Sequence, residues 1–222
     1  REINNAGDID VLQFNIGKAI TEPAGSNNLQ LQPRDLILVF PHGGSTYNRQ
    51  ALYAELKKKT TASDVNPEAA LLKQTTYGYV TAEQEEQISY HLNQAISNLY
   101  KDAALLPLSA YFSRKELLEP VLQKLIQQAR HNQQPKVVTV SGNVKVAGTY
   151  PLTQQATVSD LIVAAGGLAQ SAFVSRAELT RAVVTNNLSI EAQHIALNLN
   201  DVFSGANNIQ LQSRDNLNVF ET

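Results

Sequence analysis

Polar and apolar positions change their period twice along this chain of 222 residues. Near the start, Leu29 and Leu31 alternate with Gln30 and Gln32, and Ile37 and Val39 repeat the same spacing. A period of two is that of a half-buried strand, so residues 9–40 read as strand, short turn, strand, turn, strand. Pro33-Arg34-Asp35 is the second turn, with proline pre-setting one dihedral. The period then becomes helical. Leu52 and Leu56 predict a helix from Tyr47 to about Lys59, and Asn66-Pro67-Glu68 is a helix start with proline in the first turn. Thr81-Ala82-Glu83-Gln84 is a capping box ahead of Ile88, Leu92, Ala95, Ile96 and Leu99, one face of a long helix. Residues 102–112 are apolar without a period and read as a buried connector. Ser113-Arg114-Lys115-Glu116 is a second capping box, followed by Leu117, Leu118, Val121, Leu122, Leu125 and Ile126. Pro120 inside that pattern predicts a kink or a later start.

Strand character returns after Gln133-Gln134-Pro135. Val137 to Val140 lead through Gly142 into a second strand at Val144-Lys145-Val146, and Gly148 turns the chain into Tyr150-Pro151-Leu152. Thr157-Val158-Ser159-Asp160 caps a helix over Leu161 to Ala165, which Gly166-Gly167 stops because glycine adopts the left-handed conformation freely. Strands follow at about 178–185 and 193–199.

The end of the chain repeats its beginning. Residues 27–40 (NNLQLQPRDLILVF) return as residues 207–220 (NNIQLQSRDNLNVF) with nine of fourteen positions identical. Upstream, Phe14-Asn15-Ile16 answers Leu197-Asn198-Leu199 once a short insertion near Thr21-Glu22-Pro23 is allowed. The spacing is far longer than a solenoid period, so this is duplication of a module. The duplication predicts matching strands and turn over 9–40 and 190–220, with Arg34 over Arg214 and Leu31 over Leu211. The second copy has a full domain of sequence ahead of it; the first has only Arg1 to Gln13. The chain therefore reads as a fragment whose first module lacks its N-terminal half. Strands so orphaned would expose Leu29, Leu31, Ile37 and Val39, and are expected to be covered by the helical insert, the second module or a neighbouring chain.

Composition narrows the function. A net charge of -2 with both signs scattered leaves no electrostatic footprint for nucleic acid. The basic run Lys57-Lys58-Lys59 suits a helix C-terminus. With no cysteine, thiol catalysis, thiolate-held iron–sulfur clusters and Cys-based zinc sites are excluded, and an oxidising compartment is compatible. No apolar run approaches membrane-spanning length.

The order strand, strand, helix, short strands is that of a β-grasp, and particular residues sharpen the likeness. They are Gly142-x-Val144-x-x-x-Gly148-x-Tyr150-x-Leu152, then Thr157-x-x-Asp160-Leu161-Ile162-x-Ala164-Ala165-Gly166-Gly167-Leu168. This pattern resembles the soluble-ligand-binding β-grasp (SLBB) domains of bacterial outer-membrane polysaccharide export proteins. It departs from them at Ala147-Gly148, where Pro-Gly is common, and in the last turn, where both copies carry Arg-Asp instead of Gly-Asp. The resemblance implies an α+β fold, with a complete β-grasp (ubiquitin-like) SLBB module at 136–222. A helical linker or insert lies at 46–135 and the C-terminal half of a second module at 1–45. It further implies a periplasmic structural and interaction module of a capsule or exopolysaccharide exporter. Its partners would be other export subunits in a homo-oligomer, an inner-membrane co-polymerase or kinase, and polysaccharide itself. A module binding saccharide or another small ligand is the alternative.

No catalytic or metal site is expected, and no cofactor. His42, His91, His131 and His194 are scattered without ligand spacing, no elbow motif frames a serine, and Gly166-Gly167 ends a helix instead of opening one on a phosphate. Without tryptophan, the platform for a sugar ring would be tyrosine. Tyr77 and Tyr79 are the candidates, against a reading as interhelical packing. Arg34 and Arg214 are further ligand candidates because they recur, although a turn-stabilising Asp35 or Asp215 beside a solvated arginine explains the same recurrence.

Overall fold

The computed structural model describes residues 1–4, 7–40, 98, 112–129, 134–184 and 190–222. The chain divides into two compact units, Arg1–Gly44 with Val121–Thr222 and Ser45–Pro120. The helices expected at 47–59, from Asn66 and over 81–99, the connector up to residue 111, and Tyr77 and Tyr79 lie outside the described residues.

The first unit is mixed α/β. Its sheet comprises β1 (Val137–Gly142), β2 (Gly148–Pro151), β3 (Ala172–Val184), β4 (Ile190–Leu197) and β5 (Asn216–Glu221), in the order β2-β1-β5-β3-β4. β1 and β5 run parallel and the other neighbours antiparallel. The period-two pattern places Val138, Val140, Ala177, Leu179, Leu197, Leu217 and Val219 inward, each 3% exposed or less. Helix α3 (Val158–Ala164) buries Val158, Leu161 and Ile162, and α4 (Leu199–Ser204) buries Leu199 and Val202. Each such side chain contributes about 1.5–3 kcal/mol through burial.

Local signals place these elements. Asp160 accepts hydrogen bonds from the Thr157 amide at 2.9 Å and hydroxyl at 2.6 Å, fixing the start of α3. At its end Gly166 and Gly167 have φ of 84° and 97°. Their amides donate to the Val163 and Ile162 carbonyls, the paired bonds of a Schellman stop. The strand expected at Val144–Val146 is not formed. Gly142, at φ 77°, lies so close to β5 that an added Cβ would overlap the Val219 carbonyl oxygen. The chain turns away there, and the Lys145 and Val146 amides donate to Gly167 and Ala165 behind the helix. The second strand starts only at Gly148.

Helix α2 (Arg114–Gln127) begins where its capping box predicts: the Ser113 amide and hydroxyl donate to Glu116 at 2.9 and 2.6 Å. It runs through Pro120 without a later start. Leu117, Leu118, Leu122 and Leu125 are buried, while Ile126 is 46% exposed.

Residues 7–40 depart most from expectation. Leu29–Gln32 and Leu36–Phe40 form no strand, and α1 (Ile16–Thr21) occupies what reads as a turn. A helix of six residues is too short to print a period on the sequence. Its counterpart α4 was equally hidden. Both are announced only by an asparagine cap: Asn15 accepts from the Lys18 amide and Asn198 from the Asn200 amide, each at 3.0 Å. The strands fail for a different reason. β5 is a strand because β1 and β3 flank it; among the described residues Leu36–Val39 pairs with no strand. The duplicated stretches thus share helix and turn but not ladder. Of the covering expected for 1–40, one part is present. Gln128, just past the end of α2, takes both backbone groups of Ile9, at 2.9 and 2.8 Å, and Asp10 accepts from Lys136 and Gln154.

Candidate functional site

The recurring Arg-Asp pair is a turn built twice. In Gln212-Ser213-Arg214-Asp215 the Asp215 amide donates to the Gln212 carbonyl at 3.1 Å, and Arg214 has φ 66°. In Gln32-Pro33-Arg34-Asp35 the same bond is 3.1 Å and Arg34 has φ 70°. A positive φ at the third position is what a glycine would supply freely, so a Gly-Asp sequence and the Arg-Asp found here make the same turn. Non-glycine residues bear a cost there of about 1–3 kcal/mol.

The aspartate locks each turn. Asp215 accepts from the Gln212 amide at 2.8 Å and from Arg181 in a fork, Nε at 2.9 Å and Nη2 at 2.6 Å; Arg181 Nη2 also donates to the Gln210 carbonyl. Asp35 accepts from the Gln32 amide at 2.7 Å and from Arg1 Nε at 2.9 Å and Nη2 at 2.7 Å, while Arg1 Nη2 donates to the Gln30 carbonyl. Asp215 is fully buried, with Arg181 13% exposed; Asp35 and Arg1 are 11% and 22% exposed. Hydrogen bonding from Arg1, then from the Gln32 amide, holds the Asp35 carboxyl well below the usual carboxylate range, against the opposing effect of desolvation. Hydrogen bonding to Asp215 raises the Arg181 pKa above its ordinary value, again against desolvation. Each carboxylate receives three hydrogen bonds from its own chain, so the arrangement clamps the turn to the neighbouring strand.

Arg1 and Arg181 were not singled out from the sequence. The signal was available: they stand at the same offset as the two aspartates. Arg34 and Arg214 do not join the clamps. Both are exposed, and Arg34 pairs with Glu2 at 3.1 Å, with side-chain exposures of 80% and 46%. Such a pair contributes little.

One face of the sheet carries a row of polar side chains. Register sets Thr139 beside Asn216 and Ser141 beside Asn218. It sets Asn218 beside Glu178 and Asn216 beside Thr180, then Thr180 beside His194. His194 Nδ1 lies 2.9 Å from a Glu178 oxygen, and the Ser141 hydroxyl reaches Asn218 at 3.2 Å. Arg176 covers the Phe220 ring at 5.1 Å, a cation–π contact at the end of this face. Thr139, Ser141, Thr180, Asn216 and Asn218 are uncharged donors and acceptors on this face, beside the charged Glu178 and Arg176, a set suited to hydroxyl-rich ligands. Among the described residues no group of three His, Asp or Glu side chains is placed to hold a metal ion. No described helix is long and apolar enough to cross a membrane.

Residues 137–189 match the family model of the SLBB domain, a domain of binding or structural rather than catalytic type, found in polysaccharide export proteins. The match begins at the first residue of β1 and takes in β2, α3 and β3. No curated protein matches the chain.

Proposed function

We propose that this chain is a periplasmic part of a bacterial outer-membrane polysaccharide export protein, serving as a structural and interaction module of the capsule or exopolysaccharide channel. In this reading 136–222 is a β-grasp SLBB module, 46–135 a helical insert, and 1–45 the closing half of a second module. Its partners are other export subunits in a homo-oligomer and an inner-membrane co-polymerase or kinase. Catalysis has no part in it. The observation that carries the reading is the SLBB match at 137–189, lying on a mixed sheet whose parallel β1–β5 pair and single α3 suit a β-grasp.

The test removes residues 136–222 in frame from the parent protein in its own bacterium and weighs surface and intracellular polysaccharide separately. Surface polymer is expected to fall while intracellular polymer persists. Undiminished export overturns the reading.

The outer sheet face supports a second reading, a module that binds saccharide. Titration with capsule oligosaccharides would then shift the NMR signals of Thr139, Ser141, Asn216, Asn218, Glu178 and His194 together. Shifts absent or scattered across the fold reject it.

A further inference from the structure

Strand register sets one polar side chain of every strand into a single row across the sheet. Thr149 of β2 pairs with Thr139 of β1, and Thr139 with Asn216 of β5. Asn216 pairs in turn with Thr180 of β3, and Thr180 with His194 of β4. Directly paired residues share a face, and successive residues alternate between faces. The neighbours Tyr150, Val138, Leu217 and Leu179 are buried, so the row lies on the face away from the core. Thr149, Asn216 and His194 are exposed there, and Thr139 and Thr180 half-buried.

The adjoining row spends its polar groups within the fold: the Ser141 hydroxyl reaches Asn218, and Glu178 takes His194. The side chains of Thr149, Thr139 and Thr180 make no hydrogen bond among the described residues, and the Asn216 amide nitrogen makes none either. Neighbouring strands lie about 4.8 Å apart, so the row offers a polar group at each such step over roughly 19 Å. That step is close to the length of one pyranose ring in an extended chain. A threonine hydroxyl and an asparagine amide each donate and accept, as sugar hydroxyls do. Charge then sorts the sugars. Glu178 stands next to the row beside Asn218, while Arg176 is held over the Phe220 ring. A uronate laid on the row would meet the Glu178 carboxylate; a neutral sugar would not be repelled.

We propose that the row Thr149–Thr139–Asn216–Thr180–His194 binds an uncharged, extended glycan whose chain crosses the strands, one sugar to each strand. The site rests on the saccharide-binding reading of this face and adds the direction, length and charge of the occupant. A coiled glycan is a poorer fit, because its hydroxyls leave a straight row within a few sugars. An acidic one is opposed by Glu178.

The test titrates the full chain by calorimetry with cellopentaose, a neutral and extended probe. Cellobiose is the short control, maltopentaose the coiled one, and the matching β-linked pentaglucuronate the acidic one. Cellopentaose should bind at least tenfold more tightly than each control. Thr139→Val together with Thr180→Val removes two hydroxyls of the row while keeping branched side chains that suit a strand. This double variant should melt as the parent does and bind cellopentaose at least tenfold more weakly. Glu178→Gln should narrow the gap between pentaglucuronate and cellopentaose. Any control bound as tightly as cellopentaose, or binding unmoved by the double variant, overturns the proposal. So does a failure of cellopentaose to bind. In that event the saccharide-binding reading survives if capsule oligosaccharides still shift the NMR signals of the sheet face, and falls as well if they do not.

Discussion

Leu36–Phe40 and Asn216–Phe220 occupy the same place in a repeat, follow the same turn, and end in the same Val-Phe, yet one is a central strand and the other is not a strand at all. The N-terminal version is the more apolar of the two, with Leu36 and Leu38 where the other has Asn216 and Asn218. By β-propensity alone it is the better strand. What separates them among the described residues is company: β1 and β3 lie on either side of β5, and no strand is described beside residues 36–39. The turn and its arginine clamp, by contrast, are complete in both copies, because Arg1 reaches Asp35 as Arg181 reaches Asp215. The hydrogen bonds of the turn are the same in both copies; ladder pairing and apolar burial are not.

The largest effect that breaks this comparison comes from the complete side. Gly142→Ala drives a Cβ into the Val219 carbonyl at a positive φ. It should separate β1 from β5 and cost on the order of 4 kcal/mol or more, read from urea unfolding.

Removing Asp215 leaves Arg181 enclosed without its partner. Asp215→Ala is expected to cost about 3–5 kcal/mol. Asp35→Ala removes the same three hydrogen bonds from a more exposed pair, and its loss in the same unfolding experiment should be distinctly smaller. Equal losses would show that the clamps matter alike whatever covers them.

The apolar positions sharpen the contrast. Leu217→Ala, at full burial, should cost about 2–5 kcal/mol. Ile37→Ala, 45% exposed, should change stability by no more than about 0.5 kcal/mol.

The smallest expected effect is a titration. The Asp35 carboxyl is depressed below its ordinary value of 3.8 by Arg1 and the Gln32 amide. A carboxylate depressed on folding adds stability that is complete above that ordinary value and disappears as pH falls through the folded one. Carbon NMR should find Asp35 still ionised at pH 3.8, and Arg1→Gln should return its midpoint toward that value.

Much of the C-terminal copy was legible in the residues. The Thr157–Asp160 cap, the Gly166-Gly167 stop and the alternation of Val138 and Val140 each depend on neighbours in sequence, and each is present where its pattern lies. Two misreadings have separate causes. Val144–Val146 looks like a strand because valines alternate there, but Gly142 has already turned the chain behind α3. The helices α1 and α4 were hidden because six residues leave no period, although Asn15 and Asn198 mark both caps. Of the candidate site, the recurrence of Arg-Asp and its reading as a turn-stabilising aspartate beside a solvated arginine were legible, while the partner of each aspartate was not. The partner of each aspartate is Arg1 or Arg181, 34 residues away along the chain, and no turn pattern reaches that far.

What the sequence determined by itself is local: where α2 and α3 begin, where α3 stops, that two stretches are copies, and that a tight turn lies before each Val-Phe. These follow from dihedral preference and hydrogen bonds spanning a few residues. Which copy becomes a sheet was decided only by tertiary structure. A strand has no internal hydrogen bonds to hold it, so its backbone groups and its apolar face need neighbours brought from far along the chain.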